Sequence, residues 1–354
     1  QYTTYQVRRM EPSPADPLEG HHVRYAIVGA GAIGAYVGAS LARAGAEVVL
    51  IARGAHLTAM RRSGLRIVGA QGEFTVAPGC TDACADVGPV DVVVIALKAH
   101  QIDGMLGEIA HLVHDETLIV SMQNGIPWWY FQRHGGALDG HVLESVDPGG
   151  RLARAFDPDN VVGCAVYSST ELVAPGVVRH IEGTRYTLGH PSGAVTRRLE
   201  KVAADFRAGG LKAPLVDNIR VDTWTKLLGN VCFNPLSALT RSTLGELAGD
   251  PLVAPMIRAV MHETLAVASR LGIEIDVSIE RRIDGARRVG DHKTSTLQDI
   301  EAGRPLEVEC LIGAVVELGD VLGVDVSTTR QVYGLTKMLD RSMRRAPVEH
   351  AIAV

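Results

Sequence analysis

The chain is predicted to be α/β, with a doubly wound, mainly parallel sheet domain followed by an all-helical one. Three observations predict this. A glycine-rich turn, Gly29 to Gly34, stands between an apolar run and a helix of small residues. The apolar runs that follow lack polar alternation, and after Asp217 nearly every segment repeats its apolar residues at three and four. The 354 residues, 46% of them apolar, suffice for two cores of ordinary size.

Taken in order, residues 1–22 read as a flexible tail. Arg8-Arg9 is followed by Glu11-Pro12-Ser13-Pro14-Ala15-Asp16-Pro17, not by the apolar segment that a twin-arginine or secretory signal needs. A sheet domain is expected over 23–217. Tyr25-Ala26-Ile27-Val28, the glycine turn, a small-residue helix and Glu47-Val48-Val49-Leu50-Ile51 make a βαβ unit. Strands are expected at 91–97 and 117–121, with a helix over 102–113 between them. Runs without alternation suit strands covered on both faces. From Val161 the runs shorten, and 161–167, 176–181 and 185–188 are expected to extend the sheet as antiparallel strands. A helix over 195–208 and a strand at Leu215-Val216 would close the domain. Residues 218–354 form the helical domain, with helices expected over 219–239, 253–271, 278–289, 308–322 and 328–344.

Charge and composition exclude several classes. The 35 basic and 40 acidic residues leave a net charge of −5, no footprint for a nucleic acid or an anionic membrane. No apolar run approaches the roughly 18–20 residues that cross a bilayer. Cys80, Cys84, Cys164, Cys232 and Cys310 lack the paired spacings of a zinc site or disulfide scaffold, so no metal and a reducing, cytoplasmic setting are expected.

Gly29-Ala30-Gly31-Ala32-Ile33-Gly34 fits the G-x-G-x-x-G of a Rossmann-type domain, between a strand and a helix. The first glycine permits the tight turn, the second lets a pyrophosphate approach, and the third lets the helix pack on the strand. Helix-start N–H groups would hold the phosphates. The blander reading is a glycine-rich turn with no ligand. NAD sites usually end the second strand with Asp or Glu, whereas this one ends Leu50-Ile51-Ala52-Arg53. A guanidinium there suits a 2′-phosphate, so NADPH is expected over NADH, unless Arg53 is merely a solvated arginine. Lys98 follows the next strand and could add a second cation. Asn124, in Gln123-Asn124-Gly125, could reach the nicotinamide half. Either alone would be an ordinary loop residue.

In the first long helix of the second half, Lys226, Asn230 and Asn234 recur every four. At about 100° per residue they share an arc of roughly 80° among the apolar Leu227, Leu228, Val231, Cys232 and Phe233. A lone lysine of this kind usually snorkels, but three polar groups in register suggest a site. Ser295 is a candidate carboxylate ligand and Glu307 a candidate partner for Lys226, or simply an acid at a helix start.

With these motifs in place, the chain resembles the ketopantoate reductase family over about residues 23–344. The resemblance rests on the glycine motif, Leu97-Lys98-Ala99 with Gln123-Asn124-Gly125, the Trp224-to-Leu236 helix, and Ser295-x-Leu-Gln-Asp with Glu307. It implies NADPH-dependent reduction of a 2-oxo acid, foremost ketopantoate, to a 2-hydroxy acid. Arg53 and Lys98 would hold the NADP phosphate, and Asn124 would contact the cofactor. Lys226 would be the general acid, with Asn230, Asn234 and Ser295 binding substrate and Glu307 orienting the lysine or a substrate hydroxyl. A homodimer through the helical domain is implied by the resemblance alone. Two features depart from the pattern. Leu244 stands where better-known members carry another asparagine, and Trp128-Trp129-Tyr130-Phe131 could line an apolar pocket or pack internally. The alternatives are a relative acting on a larger or more apolar 2-oxo acid, or a non-catalytic NADP(H)-binding regulator.

Overall fold

The computed structural model describes residues 23–70 and 72–345; the tail expected at 1–22 lies outside them. The chain divides into two compact units. The first gathers the described residues up to Gln123 with Trp129–His141 and Gly150–Ile219, and the second gathers Asn124–Trp128, Val142–Gly149 and the residues from Arg220 onward. Two short segments ahead of residue 217 thus group with the helical half. Hydrogen bonds explain it: Ile126 N–H donates to the Cys310 carbonyl at 2.8 Å, and the N–H groups of Glu144 and Ser145 both donate to the Glu317 carboxylate at 2.8 Å.

In the first unit, β1 (Arg24–Val28), β2 (Glu47–Ile51), β3 (Leu65–Gly69), β4 (Phe74–Val76), β5 (Gly79–Thr81), β6 (Val92–Ile95), β7 (Leu118–Ser121), β8 (Val161–Ala174) and β9 (Val177–Gly189) form one sheet. Its order is β4-β3-β9-β8-β7-β6-β1-β2-β5. From β5 to β8 all neighbours are parallel; β8–β9 and β3–β4 are antiparallel, and β9–β3 is parallel. Beyond Arg24, β1 is apolar because both faces are covered: Tyr25, Ala26, Ile27 and Val28 are all 0% exposed. Helix α1 (Ala32–Arg43) lies close to the sheet through its small residues, and a Cβ on Gly38 would stand 2.4 Å from the Leu50 side chain. The other helices of this unit are α2 (Gly54–Ser63), α3 (Ala99–Ile102), α4 (Leu106–Ile109), α5 (Arg151–Ala155) and α6 (Arg197–Ala208). Tyr25 of β1 donates its hydroxyl to Asp205 of α6 at 2.7 Å.

Several elements differ from expectation. The helix over 102–113 is broken into α3, α4 and flanking 3-10 turns, consistent with Gly104 and Gly107 in its middle. The runs 176–181 and 185–188 are one strand, β9, which passes through Gly183 at φ +73 while its pairing with β8 shifts register. Leu215 makes only an isolated bridge to Leu188. Strands β4 and β5, three residues each, are too short to show a period.

The second unit holds α7 (Ile219–Thr240), α8 (Leu244–Gly249), α9 (Ala254–Arg270), α10 (Ile279–Val289), α11 (Ser295–Glu301), α12 (Ala314–Leu322) and α13 (Ser327–Arg345). A π-turn, Glu309–Gly313, runs into α12, where a plain helix over 308–322 is expected. α8 packs on α10, and α9 packs on α12 and α13. Along α7, Trp224, Leu228, Val231 and Cys232 are all 0% exposed.

Candidate active site

The carboxyl ends of four parallel strands lie in register at one edge of the sheet. Val28 of β1 is paired with Ile51 of β2 on one side and Ile95 of β6 on the other, and Ile95 with Ser121 of β7. This is where open α/β sheets bind ligands. Gly29 leaves β1 at φ +95, and the N–H groups of Gly29 and Ala30 both donate to the Ile51 carbonyl, at 3.3 and 3.0 Å. A Cβ on Gly34 would stand 2.3 Å from the Gly29 carbonyl oxygen, so only glycine lets α1 start this close to the strand. Gly31 is exposed, and a Cβ there would meet nothing within 4 Å. Ala32 and Ile33 open α1, whose first turn carries no acidic side chain. Bare backbone, open space and unfilled helix-start donors are what a pyrophosphate needs, so these residues fit a dinucleotide.

Arg53 is exposed and precedes α2 two residues beyond β2. Lys98 is half-buried just ahead of α3, its N–H donating to Gln101 Oε1 at 3.2 Å. The sequence suggests a strand running up to Lys98, but β6 ends at Ile95, and Lys98 belongs to the loop that follows.

Within the second unit, Lys226 Nζ donates to Asn124 Oδ1 at 2.5 Å. The lysine and the asparagine that sequence analysis assigns to substrate and cofactor roles therefore meet. Asn124 is held by its neighbours: Gly125 adopts φ +75, a Cβ there would stand 2.1 Å from the Cys310 carbonyl oxygen, and that oxygen accepts the Ile126 N–H. The sequence singles out the glycine but not its partner, because the π-turn carrying Cys310 has no periodicity of its own. Further along α7, Asn230 is half-buried, and buried Asn234 donates Nδ2–H to Ser295 Oγ at 3.4 Å. Ser295 is exposed at the first position of α11, where Thr294 caps the helix by accepting the Leu297 N–H. Glu307 is half-buried immediately before the helical run that contains the π-turn. Burial pushes the Cys232 thiol up to about 12, so this neighbour on α7 packs and is no nucleophile.

The model for ketopantoate reductase PanE/ApbA matches residues 25–193, and that for the ketopantoate reductase PanE/ApbA C terminal matches residues 218–340. The 2-dehydropantoate 2-reductase of Mesorhizobium japonicum is 45% identical over 319 residues, 90% of this chain and 98% of that one. The chain belongs to the ketopantoate reductase family. It is thereby an oxidoreductase acting on a CH–OH group with a nicotinamide cofactor. The 2-dehydropantoate 2-reductase of Archaeoglobus fulgidus is 30% identical over 90% of this chain and 99% of that one. The solved structure of 2-dehydropantoate 2-reductase from Geobacter metallireducens matches with TM-score 0.78 at 27% identity, over 89% of this chain and 99% of that one.

For this ketopantoate reductase family member, much of the aromatic run proves to be packing. Trp129, Tyr130 and Phe131 are at most 2% exposed. The Trp129 indole donates to Ser121 Oγ at 2.9 Å, and its ring fills the space where a Gly163 Cβ would stand, 2.5 Å away. Gln123, which sequence analysis gives no role, donates Nε2–H to the Ile95 carbonyl at 2.8 Å and ties the β6 and β7 exits together. Among the described residues no group of three or more His, Cys, Asp or Glu could hold a metal ion, and no helix is long and apolar enough to cross a membrane.

Proposed function

We propose that this protein reduces a 2-oxo acid to a 2-hydroxy acid with NADPH, and that the substrate is ketopantoate, giving pantoate. The observation that carries the reading is the Lys226–Asn124 contact, made beside the buried Leu227 and Leu228 of α7. Asn124 offers the ammonium an uncharged acceptor. A dinucleotide, when bound, would supply the hydride for the keto carbon. Lys226 Nζ holds the carbonyl oxygen by a charge-assisted hydrogen bond and gives it a proton as negative charge develops there. Asn234 and Ser295, already in contact, bind the carboxylate end, and Asn230, one turn from Lys226, takes a further polar group. Glu307 sets the orientation of Lys226 or of a substrate hydroxyl. On the cofactor side, Gly29 and Ala30 shape the turn, the main-chain N–H groups from Gly31 to Gly34 would hold the pyrophosphate, and Arg53 with Lys98 would read the 2′-phosphate.

A larger, more apolar 2-oxo acid is the second reading, favoured by Leu244, half-buried at the first position of α8. A non-catalytic regulator has no use for a proton donor held in this way. The test is nucleotide oxidation against a panel of 2-oxo acids, run with NADPH and NADH in parallel. Ketopantoate with NADPH should give the highest kcat/KM. A bulkier apolar acid ahead of ketopantoate establishes the second reading, and no turnover of any 2-oxo acid overturns both.

A further inference from the structure

Helix α13 carries a polar stripe that meets the segment around Glu307 twice. Tyr333, Lys337, Asp340 and Arg344 follow one another at intervals of four, three and four, so at about 100° per residue they share an arc of roughly 60°. Lys337 Nζ donates to the Tyr333 hydroxyl at 2.7 Å and lies 2.8 Å from Glu309 Oε1, while that hydroxyl donates to Glu309 Oε2 at 2.7 Å. Glu309 is the first residue of the π-turn. Gly313 makes room for the three side chains, since a Cβ there would stand 2.6 Å from Glu309 Oε2 and 3.1 Å from Tyr333 Cε2. Further along the stripe, Asp340 Oδ1 accepts the Leu306 N–H at 2.9 Å, and its Oδ2 accepts from Arg344 Nε at 2.8 Å. Leu306 and Asp340 are both buried, so the bond between them is shielded from water. Glu307 thus stands between two anchors, one residue after the first and two before the second.

Main-chain hydrogen bonds carry these anchors to the proposed proton donor. At the π-turn, Ala314 donates its N–H to the Glu309 carbonyl, five residues back, where a plain α-helix would use the Cys310 carbonyl, four back. The Cys310 carbonyl is turned instead to the Ile126 N–H, at 2.8 Å, and lies so close to Gly125 that no Cβ fits there. Asn124, the residue before, accepts from Lys226. The path from α13 is therefore continuous: Tyr333 holds Glu309, the π-turn presents the Cys310 carbonyl, that carbonyl seats Gly125 and Ile126, and Asn124 meets Lys226. We propose that Tyr333 and Asp340 are positioning residues for the proton-transfer step: from α13 they hold residues 306–310 so that the Cys310 carbonyl seats Asn124 against Lys226 and Glu307 keeps its place. The proposal rests on the reading of Lys226 as the general acid. A stripe that merely fastened α13 would cost stability when broken, with no effect routed through the lysine.

The experiment is single-turnover oxidation of NADPH by ketopantoate, with NADPH titration on the same preparations, for Tyr333→Phe, Asp340→Ala and Asp340→Asn, and for Tyr333→Phe combined with Lys226→Met. Tyr333→Phe keeps the ring and deletes the hydroxyl, and should lower the transfer rate about tenfold while NADPH affinity stays within about twofold. Asp340→Ala should do the same, and Asp340→Asn, whose carboxamide oxygen still accepts the Leu306 N–H, should recover to within about threefold of wild type. If the hydroxyl acts through the lysine, its loss costs nothing further once the lysine is gone, so Tyr333→Phe should leave the residual rate of Lys226→Met unchanged. An undiminished tenfold loss on top of Lys226→Met overturns the proposal, as does a wild-type rate in folded Tyr333→Phe or an equal fall in rate and NADPH affinity. Equal rates in Asp340→Ala and Asp340→Asn remove Asp340 from it. If Asp340→Ala does not fold, the Tyr333→Phe pair decides alone. Wild-type transfer in Lys226→Met itself would instead overturn the reading of that lysine as the acid.

Discussion

Lys226 shows how much a single side chain can reveal when its neighbours are wrong for it. On α7 it is flanked by Leu227 and Leu228, which are 1% and 0% exposed, and a half-buried ammonium among such residues is costly unless something accepts its protons. Asn124 Oδ1 does so at 2.5 Å. If Lys226 is the proton donor, Lys226→Met should lower kcat by about 10²–10⁴, because general acid catalysis typically contributes that much. NADPH affinity should hardly change. Glu307→Gln should lose less and alter the pH dependence of kcat/KM. Single-turnover hydride transfer and cofactor titration on one folded preparation separate these outcomes: near-normal transfer in Lys226→Met moves the acid role elsewhere, and loss of NADPH binding makes the lysine structural. The lysine and both asparagines of α7 are legible in the sequence because helical periodicity places them on one arc. Their partners are not, since Asn124 lies far away in the chain and reaches Lys226 only through a segment anchored on Cys310.

At the level of elements, the proposed cofactor reading divides the work of holding a dinucleotide between the β1–α1 turn and the β2 exit, and the division can be tested. Gly34 acts by absence: a Cβ would meet the Gly29 carbonyl oxygen at 2.3 Å, inside any permissible contact, so Gly34→Ala must push the helix from the strand. Overpacking of that kind costs about 1–3 kcal/mol, and the loss should fall on NADPH and NADH alike. Arg53, exposed ahead of α2, acts by presence. Arg53→Ala should leave NADH affinity intact and collapse the NADPH preference by roughly ten- to a hundredfold, the worth of a charge-assisted contact. Fluorescence titration with both nucleotides reads the two variants; an unchanged ratio in Arg53→Ala makes that arginine a surface residue. The glycine spacing and the arginine are visible in the sequence because each is a local requirement of one turn. The long β8–β9 hairpin is less visible, since its register shifts break the strand period and its turn contact to His56 joins residues over a hundred positions apart.

For the whole molecule, acid sensitivity follows from two histidines that are neutral because of where they fold. His190 is 6% exposed; Ser192 donates its N–H to Nδ1 at 3.1 Å, and Nε2 lies 3.3 Å from the Asp159 carbonyl. Burial lowers its pKa, as it does that of His56, with the carbonyls nearby opposing. A histidine whose folded pKa is depressed binds fewer protons folded than unfolded. Its contribution is intact above the unfolded value of about 6.5 and is lost as the pH falls through the folded value. Each group can remove at most about 1.4 kcal/mol per pH unit across that window. Exposed carboxylates held low by hydrogen bonds, such as Asp139 and Glu246, give up their share only at more acid pH, so the two effects separate. The urea midpoint should therefore decline between about pH 6.5 and 5, and the decline should be shallower in His190→Gln and shallower again when His56→Asn is added. Parallel curves for the wild type and both variants would mean that neither histidine resists protonation in the folded chain.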